Sequence, residues 1–71
     1  MIKTFRKGVK VRYIGNNPRY KEAFGDKVFT VRQKRGDWIV GYFPLKYSDR
    51  YRRWFYDEYA MRISDFEIIG G

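Results

Sequence analysis

Apolar runs in this chain are short, alternate with charge and stop at turn residues, and that pattern directs it towards a fold of strands. Val9-Lys10-Val11-Arg12-Tyr13 alternates apolar and basic side chains. This is the two-residue period of a half-buried strand, with Val9, Val11 and Tyr13 inward and Lys10 and Arg12 outward. Gly8 precedes it, and Gly15-Asn16-Asn17-Pro18 follows as a set of turn residues. The polar stretch from Asn16 to Asp26 then reads as a long loop carrying Tyr20 and Phe24 and closed by Gly25-Asp26. Lys27-Val28-Phe29-Thr30-Val31-Arg32 is rich in β-branched and aromatic residues, the composition of a second strand.

Lys34-Arg35-Gly36-Asp37 predicts a hairpin turn with Gly36 at positive φ. It contains an Arg-Gly-Asp adhesion tripeptide, which a Gly-Asp turn between strands accounts for by itself. Trp38 to Phe43 reads as a third strand, apolar on both faces and therefore expected to be central or covered on both sides. Pro44 to Arg53 reads as a basic, tyrosine-rich connection. Trp54 to Ile63 fits a strand, with Phe55, Tyr59, Met61 and Ile63 on one face, and also fits a helix striped by Tyr51, Phe55, Tyr59 and Arg62. Its aromatic and β-branched content favours the strand. Ser64-Asp65-Phe66 predicts a 3₁₀ turn, and Glu67-Ile68-Ile69 a short last strand.

A chain of 71 residues is one domain, and it buries only about 60% of the surface of its unfolded form. Fifteen aromatic residues are an efficient source of buried area at that size. Cysteine and histidine are absent, which removes disulfides, thiolate metal sites and every catalytic arrangement built on either side chain. We expect no enzyme, no metal and no cofactor. Ile39 to Leu45, the longest apolar stretch, contains Gly41 and Pro44 and is too short to span a membrane. Met1 to Lys7 has no apolar core of the signal-peptide kind, and the expected location is cytoplasmic.

Strands at this spacing suggest a small barrel, and four segments resemble one group of them. Lys7-Gly8-Val9-Lys10-Val11-Arg12-Tyr13-Ile14-Gly15, Gly25-Asp26-Lys27-Val28-Phe29-Thr30-Val31, Gly36 to Phe43 and Ile63 to Ile69 resemble the successive strands of small bacterial and phage Src-homology-3-like barrels, KOW-type modules among them. The resemblance covers most of the chain. It implies an all-β, five-stranded Src-homology-3-like barrel spanning residues 1–71, with a 3₁₀ turn before the last strand and a long loop between the third and fourth strands. Members of the group bind RNA or protein. The basic loop Asn16 to Phe24 and the lack of a Trp-Trp pair depart from the type that binds polyproline peptides.

Sixteen Lys and Arg against eight Asp and Glu leave a net charge of +8, which suits an anionic partner. Eleven of the basic residues and two of the acidic ones lie in residues 1–35. Aromatics concentrate instead between Tyr42 and Tyr59, where eight stand among four basic residues. Arginine presents a planar fork that fits phosphate and stacks on rings, and exposed aromatics stack on bases. These considerations select Lys46, Tyr47, Arg50, Tyr51, Arg52, Arg53 and Trp54 as a candidate binding surface, with Arg19, Tyr20 and Lys21 as a second group. The expected function is a non-enzymatic module that contacts nucleic acid or a nucleoprotein complex. The alternative is a protein–protein module meeting an acidic surface, such as a small phage-encoded regulator or inhibitor of a host protein. The same surface could equally be barrel core with arginines lying over exposed rings.

Overall fold

A computed structural model of the chain describes residues 4–70, so the reading of Met1 to Lys3 as part of a leader-free N-terminus lies outside the described residues. Six strands and one helix follow in the order β1 (Lys10–Tyr13), α1 (Pro18–Phe24), β2 (Val28–Thr30), β3 (Gln33–Arg35), β4 (Trp38–Ser48), β5 (Arg53–Arg62) and β6 (Phe66–Gly70). A 3₁₀ turn, Ile63–Asp65, stands before β6. The strands form two antiparallel three-stranded sheets, ordered β2-β1-β6 and β3-β4-β5.

The expected barrel is not closed, and there are six strands rather than five. One seam between the sheets is continuous. The Val31 N–H donates to Val9 O at 2.9 Å and Val31 O accepts from the Gly8 N–H at 2.8 Å, just before β1, and one residue later the Arg32 N–H donates to Val40 O of the second sheet at 2.8 Å. The expected second strand, residues 27–32, is therefore ordered as β2 only over Val28–Thr30, and a further strand, β3, forms at Gln33–Arg35, taking in Lys34 and Arg35 of the expected turn. The other seam has no ladder, because the 3₁₀ turn separates β5 from β6 and β6 pairs with β1 alone.

Two segments read as loops are regular structure. Residues 18–24 form α1. Asn17 caps it, its side-chain oxygen accepting from the N–H groups of Arg19 at 3.0 Å and Tyr20 at 3.4 Å, and Pro18 occupies the first turn. Both are helix-start signals. Seven residues are too few for a helix to persist alone, and burial of Ala23 and Phe24 holds this one. The second segment is the expected loop between the third and fourth strands. β4 runs through it to Ser48, and a turn at residues 49–52 returns the chain along β5. Cross-strand pairing of Tyr47 with Trp54 and Ser48 with Arg53 extends the ladder to the tip. A bulge at Pro44–Lys46 absorbs the proline, which cannot donate to a ladder. The strand reading of residues 54–62 is the one realised.

Val9, Val11 and Tyr13 are buried as the alternation requires. The core is an aromatic cluster centred on fully buried Phe24, whose ring centroid lies 5.1 Å from Tyr13, 5.1 Å from Phe29, 5.6 Å from Phe43 and 6.1 Å from Phe66. Gly15 is required by this packing, because a Cβ there would sit 2.2 Å from the Tyr13 hydroxyl. Gly36 has φ +58 in the β3–β4 turn, as its place in a tight hairpin predicts. β4 is the central strand of its sheet but is covered on one side only. Ile39, Gly41 and Phe43 are buried, while Trp38 and Tyr42 are exposed.

Candidate functional site

The β4–β5 hairpin is the longest element of the molecule, and beyond the Pro44–Lys46 bulge it is a two-stranded arm. The molecule is correspondingly elongated, with extents of 41 × 20 × 18 Å. Lys46, Tyr47, Arg50, Tyr51, Arg52 and Arg53 are all exposed on this arm. Tyr47 packs edge-on against Trp54, with centroids 5.6 Å apart, and Tyr51 against Phe55 at 6.1 Å. The guanidinium of Arg50 lies 5.5 Å from the Tyr51 centroid and that of Arg53 lies 5.0 Å from Phe55. Arg52 occupies the left-handed region at φ 53, which bends the tip. Tyr51 N–H donates to Ser48 Oγ at 3.3 Å across the same turn.

The two groups selected from the sequence meet at the base of this arm. Arg19 and Tyr20 of α1 line one groove of about 290 Å³ with Asn17, Pro44, Leu45 and Trp54. Trp54 is half-buried and packs against the core from its edge. Tyr20 is held edge-on by Tyr13 at 6.0 Å and by Phe24 at 5.9 Å, leaving 39% of it exposed. Lys21 is exposed but does not line the groove, and Lys46, Tyr47 and Arg50 to Arg53 extend away from it along the arm.

Ion pairs leave this surface largely cationic. The ion pairs among the described residues join Arg12 to Glu67 and, at 3.0 Å, Arg32 to Glu58. None of the six cations in the candidate surface takes part in them. Asp57, Glu58 and Asp65 do not converge. Glu58 is held by Arg32, and Asp57 accepts from the Glu58 N–H at 2.7 Å. Among the described residues no cluster of acidic side chains could hold a metal ion, and no helix is long and apolar enough to cross a membrane. Tyr59 lies beneath the arm, its hydroxyl donating to Pro44 O, and burial pushes its pKa up to about 12.

A second groove, of about 520 Å³, was not anticipated from the sequence. Lys27, Val28, Phe29, Thr30 and Arg32 line one side of it, and Tyr42 and Tyr56 the other. The two tyrosines stack with centroids 5.5 Å apart and ring planes at 25°. Lys27 Nζ donates to the Tyr56 hydroxyl at 3.0 Å. Alternation puts Trp38, Val40 and Tyr42 on one face of β4, and that face is open at Tyr42, beside the groove, rather than covered.

The molecule is a small two-sheet β protein with a projecting basic aromatic arm. Comparison with protein-family models, with curated proteins and with solved structures found no match to this chain.

Proposed function

We propose that the protein is a non-enzymatic binding module that holds nucleic acid on the hairpin arm and in the groove at its base. The observation that carries this reading is the convergence of Arg19 and Tyr20 with Trp54, residues far apart in sequence, at the foot of an arm whose cations have no carboxylate partner among the described residues. Arg19, Lys21, Lys46, Arg50, Arg52 and Arg53 meet phosphates, and Tyr20, Tyr47, Tyr51 and Trp54 offer ring faces and edges to bases. A phosphodiester chain is the partner that satisfies closely spaced cations and exposed rings together. The absence of His and Cys from the sequence supports a binding role over a catalytic one.

Five or six phosphate contacts give a slope of about −4 to −5 in log K against log salt. Fluorescence anisotropy with labelled mixed-sequence RNA and DNA, titrated with salt, measures it. A flat titration, or no binding at low salt, refutes the proposal. The exposed Leu45 beside Trp54 favours a protein partner as the second reading, since Trp, Tyr and Arg dominate protein interfaces too. A partner retained in a pull-down after nuclease treatment selects that reading.

A further inference from the structure

The outer face of the β3-β4-β5 sheet is open to solvent, and it is distinct from the arm. Trp38 is 40% exposed and Tyr42 52% exposed, four residues apart on β4, a separation of about 13 Å along a strand. Register sets Trp38 between Arg35 on β3 and Arg62 on β5, and the Arg62 guanidinium lies 5.0 Å from the indole centroid. At the other end Tyr42 and Tyr56 stack, with the Arg32 guanidinium 5.6 Å from one ring and Lys27 Nζ 5.6 Å from the other. Each aromatic station therefore has its own pair of cations. Glu58, opposite Tyr42, is the carboxylate that register places among them, and it is occupied by Arg32.

The geometry points to this face as a stacking platform for single-stranded nucleic acid. The inference takes its ligand class from the proposed function but uses none of the arm residues. Charge selects a polyanion, since an apolar partner would leave four cations facing one carboxylate. Ring access selects a single strand, because bases stacked inside a duplex cannot offer their faces to a sheet. An exposed cation–ring contact is weaker than a base stacked on an aromatic ring. A base therefore displaces the Arg62 guanidinium from the Trp38 ring and frees it to meet the neighbouring phosphate.

The test uses the full chain carrying Trp54→Phe, which leaves Trp38 as its single indole. A labelled oligothymidylate, a DNA duplex of equal phosphate number and polyglutamate are titrated at low salt, following anisotropy of the labelled DNA and tryptophan emission together. The single strand is expected to quench Trp38, and the duplex and polyglutamate to leave it unchanged. Adding Tyr42→Leu is expected to weaken single-strand affinity about 5- to 150-fold without changing duplex affinity. Arg35→Gln with Arg62→Gln should make the single-strand salt slope shallower by about 1.4. Single-strand binding that leaves Trp38 emission unmoved overturns the inference while the arm remains the binding surface. Equal quenching by polyglutamate overturns it in favour of charge alone. No binding of either DNA by the natural chain, followed by anisotropy alone, refutes the proposed function and this inference together. An unchanged melting temperature for each variant confirms that affinity, and not folding, is what the substitutions alter.

Discussion

Replacing Phe24 tests whether α1 is part of the folded core, and with it the placement of Arg19 and Tyr20. The side chain is fully buried and touches rings from β1, β2, β4 and β6. Truncation of such a phenylalanine to alanine costs about 3–5 kcal/mol. A 71-residue domain at ordinary stability per residue has about 3.5–10 kcal/mol in total. Phe24→Ala should therefore lower the melting temperature by roughly 12 °C or more, and in a weakly stable background it unfolds the chain. Phe24→Leu keeps an apolar filler and should cost only about 1.5 kcal/mol. Tyr20→Ala, on the exposed side of the same helix, serves as the control and should cost about 1 kcal/mol or less. Urea titration followed by tryptophan emission and by far-ultraviolet circular dichroism measures all three. The reasoning is refuted if Phe24→Ala shifts stability no more than Tyr20→Ala does, because residues 18–24 are then a surface loop.

Gly15→Ala puts a Cβ 2.2 Å from the Tyr13 hydroxyl, and denaturant titration should show a loss of about 1–3 kcal/mol from the forced shift of that ring. Arg52→Gly relieves the left-handed backbone at the tip; we expect the fold to gain up to about 1 kcal/mol while affinity for RNA or DNA falls, measured by thermal melting and anisotropy on one preparation. The Tyr59 pKa is raised to about 12 from the usual 10.0. The folded state therefore holds this proton more tightly than the unfolded chain does, so its contribution is complete below about pH 10 and lost as pH rises towards about 12. Melting temperatures across that window should fall more steeply for the natural chain than for Tyr59→Phe.

Local chemistry made much of the fold legible. The alternation at residues 9–13, the turn at Gly36 and the 3₁₀ turn before the last strand each depend on neighbours in sequence, and each forms in its predicted region. The misreadings arise where a distant contact decides. Asn17-Pro18 carries a helix-start signal, but residues 18–24 acquire a helix only because Phe24 finds a pocket among rings from four strands. Pro44 suggests the end of a strand, yet a bulge accommodates it and Trp54 holds the returning strand in place. Barrel closure is the least local property of all. It depends on whether β5 meets β6, and the residues of neither strand specify that alone. The arm residues were legible because basic and aromatic side chains crowd one short window. The Trp38–Tyr42 face was not, because Arg35 comes from β3, Arg62 from β5, and Lys27 and Arg32 from the chain on either side of β2, so that only the fold assembles them.

The division of the aromatics is the strongest physical argument that the exposed ones serve binding. Tyr13, Phe24, Phe29, Phe43 and Phe66 are the aromatic residues buried in the core between the sheets. Folding gains little from Trp38, Tyr42, Tyr47 and Tyr51, each at least 40% exposed. Four of the five cation–ring contacts among the described residues set Arg or Lys over a tyrosine or tryptophan, and the fifth sets Arg53 over the half-buried Phe55 of the arm. A surface selected only for solubility disperses its charge and avoids grouped rings. This one groups them at two places, with ion pairs at Arg12 and Arg32 among its many cations. The resulting self-repulsion opposes the compact state, and a polyanion laid along the arm or the sheet face removes it. Binding and folding are then coupled through charge. The bound state relieves a cost that the free protein carries, and screening by salt lowers that cost as it weakens the complex.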